Sequence, residues 1–155
     1  MAVSKMRAEA MAKMNPEMKD YVDGLVDLAR QEFGLTGVPF TEVIAVIDKA
    51  YAYTAIPFVN GKGTPEEVRS AAGENNGSAK VFGFARLHGL GADKALRLFC
   101  EHYESVVATP EGSDHGNIRA FIKHGWDKLE FDDGGDAATK PLRLRVPGEV
   151  DDADI

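Results

Sequence analysis

The sequence predicts a compact, mostly helical α+β domain, with about four core helices around a minimal two- or three-stranded antiparallel sheet and one extra N-terminal helix. Three observations carry that expectation. Apolar residues recur at helical spacing in several stretches, most of them opened by a capping signal. Short alternating runs bounded by Gly, Pro and Asn lie between and after them. At 155 residues, 44% apolar and 28% charged, the chain is long enough for one real core and has the make-up of a globular protein. The expected division is an N-terminal helical extension over 1–34, a domain over 35–135 and a tail over 136–155.

Residues 1–14 are rich in Met, Ala and Lys and show no apolar face. Asn15-Pro16-Glu17 then opens a helix: a capping amide, Pro at the first helical position and an acid in the first turn. Met18, Val22, Leu25, Leu28, Ala29 and Phe33 form its stripe, and Gly34 closes it. Pro39 keeps Val38 extended, and Thr41 is the expected cap of a helix carrying Val43, Ile44, Val46, Ile47, Ala50 and Tyr51. Asp48 and Lys49 are placed on its solvated side. Tyr51-Ala52-Tyr53-Thr54 alternates, and Pro57 to Gly61 reads as an edge strand entering a turn. Thr64-Pro65-Glu66-Glu67 signals a short helix or single turn.

Gly73 to Leu90 is the organising stretch. Asn75, Asn76 and Gly77 suit a sharp reversal, and Ser78 takes the N-cap position. Val81, Phe84, Ala85 and His88 share one helical face with Phe82 alongside, and Gly89 serves as a left-handed cap. Two residues break local rules. Lys80 puts a cation where the helix dipole disfavours it. Gly83 costs roughly 1 kcal/mol against alanine in mid-helix, so close packing is expected there. A further helix restarts at Gly91-Ala92-Asp93 and bears Ala95, Leu96, Phe99, His102 and Tyr103. After the loop Thr109–Ser113, Asp114 caps a helix with the stripe Ile118, Phe121, Ile122 and Trp126. Leu129-Glu130-Phe131 is the expected antiparallel partner of Phe58-Val59. Pro141 to Pro147 alternates between prolines and adds at most an edge strand, before an acidic tail from Glu149 to Asp154.

A net charge of −7 argues against general nucleic-acid binding, which runs on phosphate neutralisation. No apolar run approaches the roughly 18 residues of a membrane span. The basic start, Met1 to Arg7, lacks the apolar core of a secretory signal, so a cytoplasmic protein is expected. Cys100 is the sole cysteine, which precludes an internal disulfide, and its helical setting favours a buried, inert thiol. His88, His102, His115 and His124 show no short ligand spacing, so neither a metal nor a cofactor is expected. His88 and His102 lie on apolar faces and read as core histidines, while His124 reads as exposed.

Two helix starts carry the candidate chemistry. In the first, Asp114 at the cap and His115 at the opening position set free backbone N–H groups beside an imidazole, with Asn117 nearby. Arg119, one turn on, has a guanidinium suited to a carboxylate or phosphate. The plainer alternative is capping, with Arg119 paired to a structural acid. In the second, Asn75, Asn76, Ser78 and Lys80 bring amides, a hydroxyl and an ammonium to one corner; the alternative is a structural corner. It lacks the Gly-x-x-x-x-Gly-Lys-[Ser/Thr] of a P-loop, and Ser78 lacks a Gly-x-Ser-x-Gly elbow. His88 completes the binding candidates. Both corners are expected to line one pocket.

The run Asn75-Asn76-Gly77-Ser78-x-Lys80-x-Phe82-x-Phe84-Ala85-x-Leu87-His88-Gly89-Leu90 resembles the HopJ type III effector family. A second block agrees with it: Pro110, Gly112, Asp114-His115, Asn117-Ile118-Arg119, Phe121 and Gly125-Trp126. A third runs from Phe40 through Tyr53, so the likeness spans about residues 38–132. The chain departs from the family pattern at Ala79, Gly116 and His102, where Cys, Gln and Tyr are usual. The resemblance implies a compact fold and, in some bacteria, export into a host cell; it brings no settled activity. Two function classes follow. The first is a binding module whose polar, anion-favouring pocket engages a protein partner or a small anionic ligand. The second is a small acid–base enzyme with His115 as base and Lys80 and Arg119 as anion clamps. Oligomeric state is left open by the sequence.

Overall fold

The computed structural model describes residues 16–132 and 141–144. Among them the chain forms six helices: α1 (Pro16–Arg30), α2 (Phe40–Ala50), α3 (Asn76–Leu87), α4 (Ala92–Arg97), α5 (Glu101–Ala108) and α6 (Gly116–His124), with a 3-10 turn at Trp126–Lys128. Five short strands accompany them: β1 (Tyr51–Tyr53), β2 (Phe58–Asn60), β3 (Val68–Ser70), β4 (Glu130–Phe131) and β5 (Leu142–Leu144). The class is α+β and mostly α, as the sequence predicts. The stretch 1–14, the Asn15 cap, the close of the last strand at Val146-Pro147 and the acidic tail lie outside the described residues.

Helix α3 is the centre. Instead of one apolar face, it buries Ala79 and every residue from Val81 to Ala85, because other elements surround it. Phe82 is the hub of an aromatic cluster, with ring centroids 4.8 Å from Phe121, 5.4 Å from Phe99 and 6.3 Å from both Phe58 and Trp126. The helix ends in a Schellman motif. Gly89 adopts φ +65°, its N–H reaches Arg86 O, and the N–H of Leu90 reaches Ala85 O. Gly83 does meet a close neighbour: a Cβ there would stand 3.0 Å from Pro141 Cγ and 3.2 Å from Leu142 Cγ. The missing side chain lets β5 lie directly on the helix.

The sheet is divided. β2 pairs antiparallel with β4, matching Phe58 to Phe131 and Val59 to Glu130, as expected. On its other edge β2 takes β3, a strand not anticipated from Val68-Arg69-Ser70. β5 joins β1 in a separate two-stranded ladder, Tyr51 opposite Leu144.

α1 docks through Val22, Leu25 and Ala29 but ends at Arg30, before Phe33 and Gly34. The chain from residue 31 to 37 forms turns that leave Phe33 75% exposed. α2 begins at Phe40 after Pro39, with no side-chain cap, so Thr41 is already helical. Glu101 Oε1 instead accepts the Phe40 N–H at 2.7 Å, a cap supplied from across the fold. Thr64 builds a single turn, its hydroxyl donating to Gly61 O and accepting from the Glu66 N–H. The helix expected to run from Ala92 past Tyr103 is two helices. Cys100, at φ 53° and ψ −122°, breaks it. Trp126 likewise lies beyond α6, after Gly125 at φ +64°, and its indole N–H donates to Leu90 O at 3.0 Å.

Candidate functional site

Neither expected cap is where the sequence placed it. The residue before α3 is Asn75, at φ 53° and ψ 45°, so Ser78 sits inside the first turn. The residue before α6 is His115, at φ 52° and ψ 51°, so Asp114 precedes the cap. Asparagine and histidine are both among the few non-glycine residues enriched in the left-handed region, asparagine through its short polar side chain. At neither start does the side chain of the preceding residue, Asn75 or His115, bond the helix, so among the described residues neither first turn has a side-chain cap from that position.

The two starts open onto one cleft of about 230 Å³. Asn75, Gly77 and Ser78 line it at the start of α3, and His115, Asn117 and Ile118 at the start of α6. Phe40, Phe99 and His102 complete the wall. Strand ends hold both corners. Ser70 at the end of β3 accepts from Asn75 Nδ2 at 2.8 Å. Asn60 at the end of β2, fully buried, donates through Nδ2 to Asn117 O at 2.7 Å and to Asn117 Oδ1 at 3.1 Å. The cap that Glu101 provides seats Phe40, and the backbone N–H of Glu101 and then that of Phe40 hold its carboxyl below the ordinary range.

His102, a core histidine by its apolar helical face, is instead half-buried and lines the cleft. Its ring packs edge-on to Phe40 at 5.0 Å and lies 5.1 Å from the His115 ring. The break at Cys100 turns α5 so that this imidazole meets α6. The site therefore offers uncapped N–H donors from two helix ends, side-chain amides, a hydroxyl and two imidazoles, backed by an apolar wall.

Other candidate residues are placed elsewhere. Lys80 pairs with Asp48 at 2.8 Å and lies over the Tyr53 ring at 5.2 Å. Asp48 is thus half-buried and engaged, not simply solvated. Asn76 accepts a hydrogen bond from the Tyr53 hydroxyl at 2.7 Å, and burial raises the pKa of that phenol. Arg119 is committed to Asp114 and the loop before it: Nη2 is 2.7 Å from Asp114 Oδ1, and Nη1 donates to Thr109 O at 2.8 Å. That guanidinium holds the Asp114 carboxyl below its ordinary value. The pairing with a structural acid is the alternative reading of Arg119. His88 is buried, shares a hydrogen bond with the Tyr51 hydroxyl and accepts from Arg30 at its carbonyl, away from the cleft. His124 is half-buried instead of exposed, its Nε2 2.8 Å from Glu66 Oε1. Cys100 is buried, and burial lifts its thiol to about 12, with Glu101, Glu104 and Glu42 adding to the effect.

The fold and its cleft define a small α+β protein in which helix starts and strand ends meet around one polar recess. The chain belongs to the HopJ type III effector protein family, whose model matches residues 28–135 and opens inside α1. A crystal structure described as that of unknown function protein VPA0580 is similar, at 31% identity and a TM-score of 0.64. The match covers 86% of this chain and 96% of that one. No curated protein matches the chain. Among the described residues, no helix is long and apolar enough to cross a membrane, and no group of three or more His, Cys, Asp or Glu side chains is placed to hold a metal ion.

Proposed function

We propose that this HopJ family member is a binding module whose cleft receives a small oxyanion, a carboxylate or phosphate group presented by a ligand or a partner. One observation carries the reading: the uncapped starts of α3 and α6 open onto the same cleft. Each helix start carries partial positive charge and N–H groups that its own cap residue leaves without a side-chain acceptor, and two directed at one recess reinforce each other. Lys80 and Arg119 are turned to Asp48 and Asp114, so the anion is held by helix ends and imidazoles, not by ammonium and guanidinium clamps.

The test is a titration of the isotopically labelled protein with inorganic phosphate and, separately, acetate, read by amide shifts. The N–H groups of Gly77, Ser78, Asn117 and Ile118 should move together. Shifts at only one helix start, or none at millimolar anion, would overturn the reading. The imidazole pair also supports acid–base catalysis on a small anionic substrate, with His115 as base. Turnover of a phosphate ester by the wild type and not by His115→Gln would favour that reading over binding alone. The family description supports delivery into a host cell by a type III system, which a translocation-reporter fusion would check.

A further inference from the structure

We infer that the groove between the turn after α1 and helix α5 docks an amphipathic helix of a partner protein, one carrying apolar anchors flanked by lysine or arginine. The groove has a volume of about 440 Å³. Phe33 and Leu35 form one wall, Tyr103 and Val107 the other, with Cys100 between them. Among the described residues, Phe33 and Val107 are the two most exposed large hydrophobics, at 75% and 58%, and both border this one groove. Apolar surface gathered in one concavity is the mark of an interaction site, whereas scattered exposure is ordinary.

The rim selects the occupant. Asp93 is neutralised by Arg97 at 3.1 Å, and Arg97 is further held by Gln31 O. Glu32 on one wall and Glu104 on the other have no ion-pair partner among the described residues, so the groove is apolar within and acidic at both edges. A second copy of this chain, at net charge −7, would bring like charge to that rim. A basic segment brings the opposite. Every wall residue belongs to a helix or a turn, so no strand edge is offered for ladder hydrogen bonds. Recognition must run through side chains, as when a helix lies in a groove with anchors one turn apart.

The experiment titrates the full chain with two synthetic amphipathic helices of identical apolar face, one flanked by lysines and one by glutamates. The lysine peptide should shift amides of Glu32–Thr36 and Tyr103–Ala108 and bind at least about tenfold more tightly than its glutamate counterpart. Phe33→Ser should weaken it by about tenfold or more while leaving the melting curve unchanged, since that ring is exposed. The double variant Glu32→Lys/Glu104→Lys should invert the preference between the peptides. Equal affinity for both peptides, shifts confined to other surfaces, or a dimer of the chain that Phe33→Ser dissolves would each overturn the inference.

Discussion

Replacing Gly83 with alanine sets two effects of opposite sign against each other. In a helix interior alanine is favoured over glycine by about 1 kcal/mol. Here the new methyl would meet Pro141 Cγ at 3.0 Å and Leu142 Cγ at 3.2 Å. Both partners are buried, and Leu142 is only 1% exposed, so neither can swing away into solvent. Overpacking of this kind typically costs ~1–3 kcal/mol. The net expectation runs from neutral to a loss of about 2 kcal/mol, which for a domain of this size means a fall in Tm of at most ~8 °C. The decisive assay is a double-mutant cycle with Pro141→Ala, followed by thermal and urea melts. Truncating the proline removes the tightest contact and keeps the carbonyl that accepts the Thr54 N–H. Gly83→Ala should therefore be less costly in that background, with a coupling of about 0.5 kcal/mol or more. If Gly83→Ala raises Tm equally in both backgrounds, β5 does not lie on α3 and the close-approach argument fails.

Three further outcomes are expected. Glu66 accepts from His124 and then Lys123, which lower its pKa. Its stabilising contribution is therefore present above the ordinary carboxylate value and lost as pH falls through the folded value, so the Tm gap between wild type and Glu66→Gln should close in acid; a gap that widens there would refute the pairing. Because Asp114 binds Arg119 and does not occupy the cap, Asp114→Asn and Asp114→Ala should destabilise to a similar extent, and an Asn variant that melts like the wild type would restore the cap reading. Cys100 holds a backbone conformation suited to glycine, and strain of this kind is worth ~1–3 kcal/mol. Cys100→Gly should thus be more stable than Cys100→Ala in urea melts, inverting the usual helix-region order.

The elements legible in the sequence were those with local signatures. The α1 stripe Val22-Leu25-Ala29, the pairing of Phe58 with Phe131 and the close packing at Gly83 all follow from spacing or a missing side chain. β3 was not legible, because three residues with Arg69 at their centre carry no alternation; their pairing is decided by β2. The caps misled for a related reason. Ser78 and Asp114 are good capping residues, yet Asn75 and His115 enter the helices in the left-handed region, and Asn75 is held there from outside by Ser70. At the site, Asn75, Ser78, His115 and Asn117 could be named from two helix starts. His102 could not, since its place depends on the turn at Cys100, and spacing alone does not reveal that Lys80 and Arg119 are claimed by Asp48 and Thr109.

The ladder between β1 and β5 has a consequence for the order of assembly. Its register sets Tyr51 opposite Leu144 and Tyr53 opposite Leu142, so the two strands meet across most of the chain. Closing so long a loop is entropically unfavourable until the intervening helices have drawn the ends together. The ladder is therefore a late contact, formed on a core already organised around Phe82. By the same logic it is the first to open, and Leu142, which rests on Gly83, leaves with it. Loss of this one strand would uncover a flank of α3 while its opposite end, at the cleft, stays assembled. Amide exchange should accordingly be faster at Ala52 and Thr54 than at Val59, and the molecule would breathe from the β5 side without dismantling its polar recess.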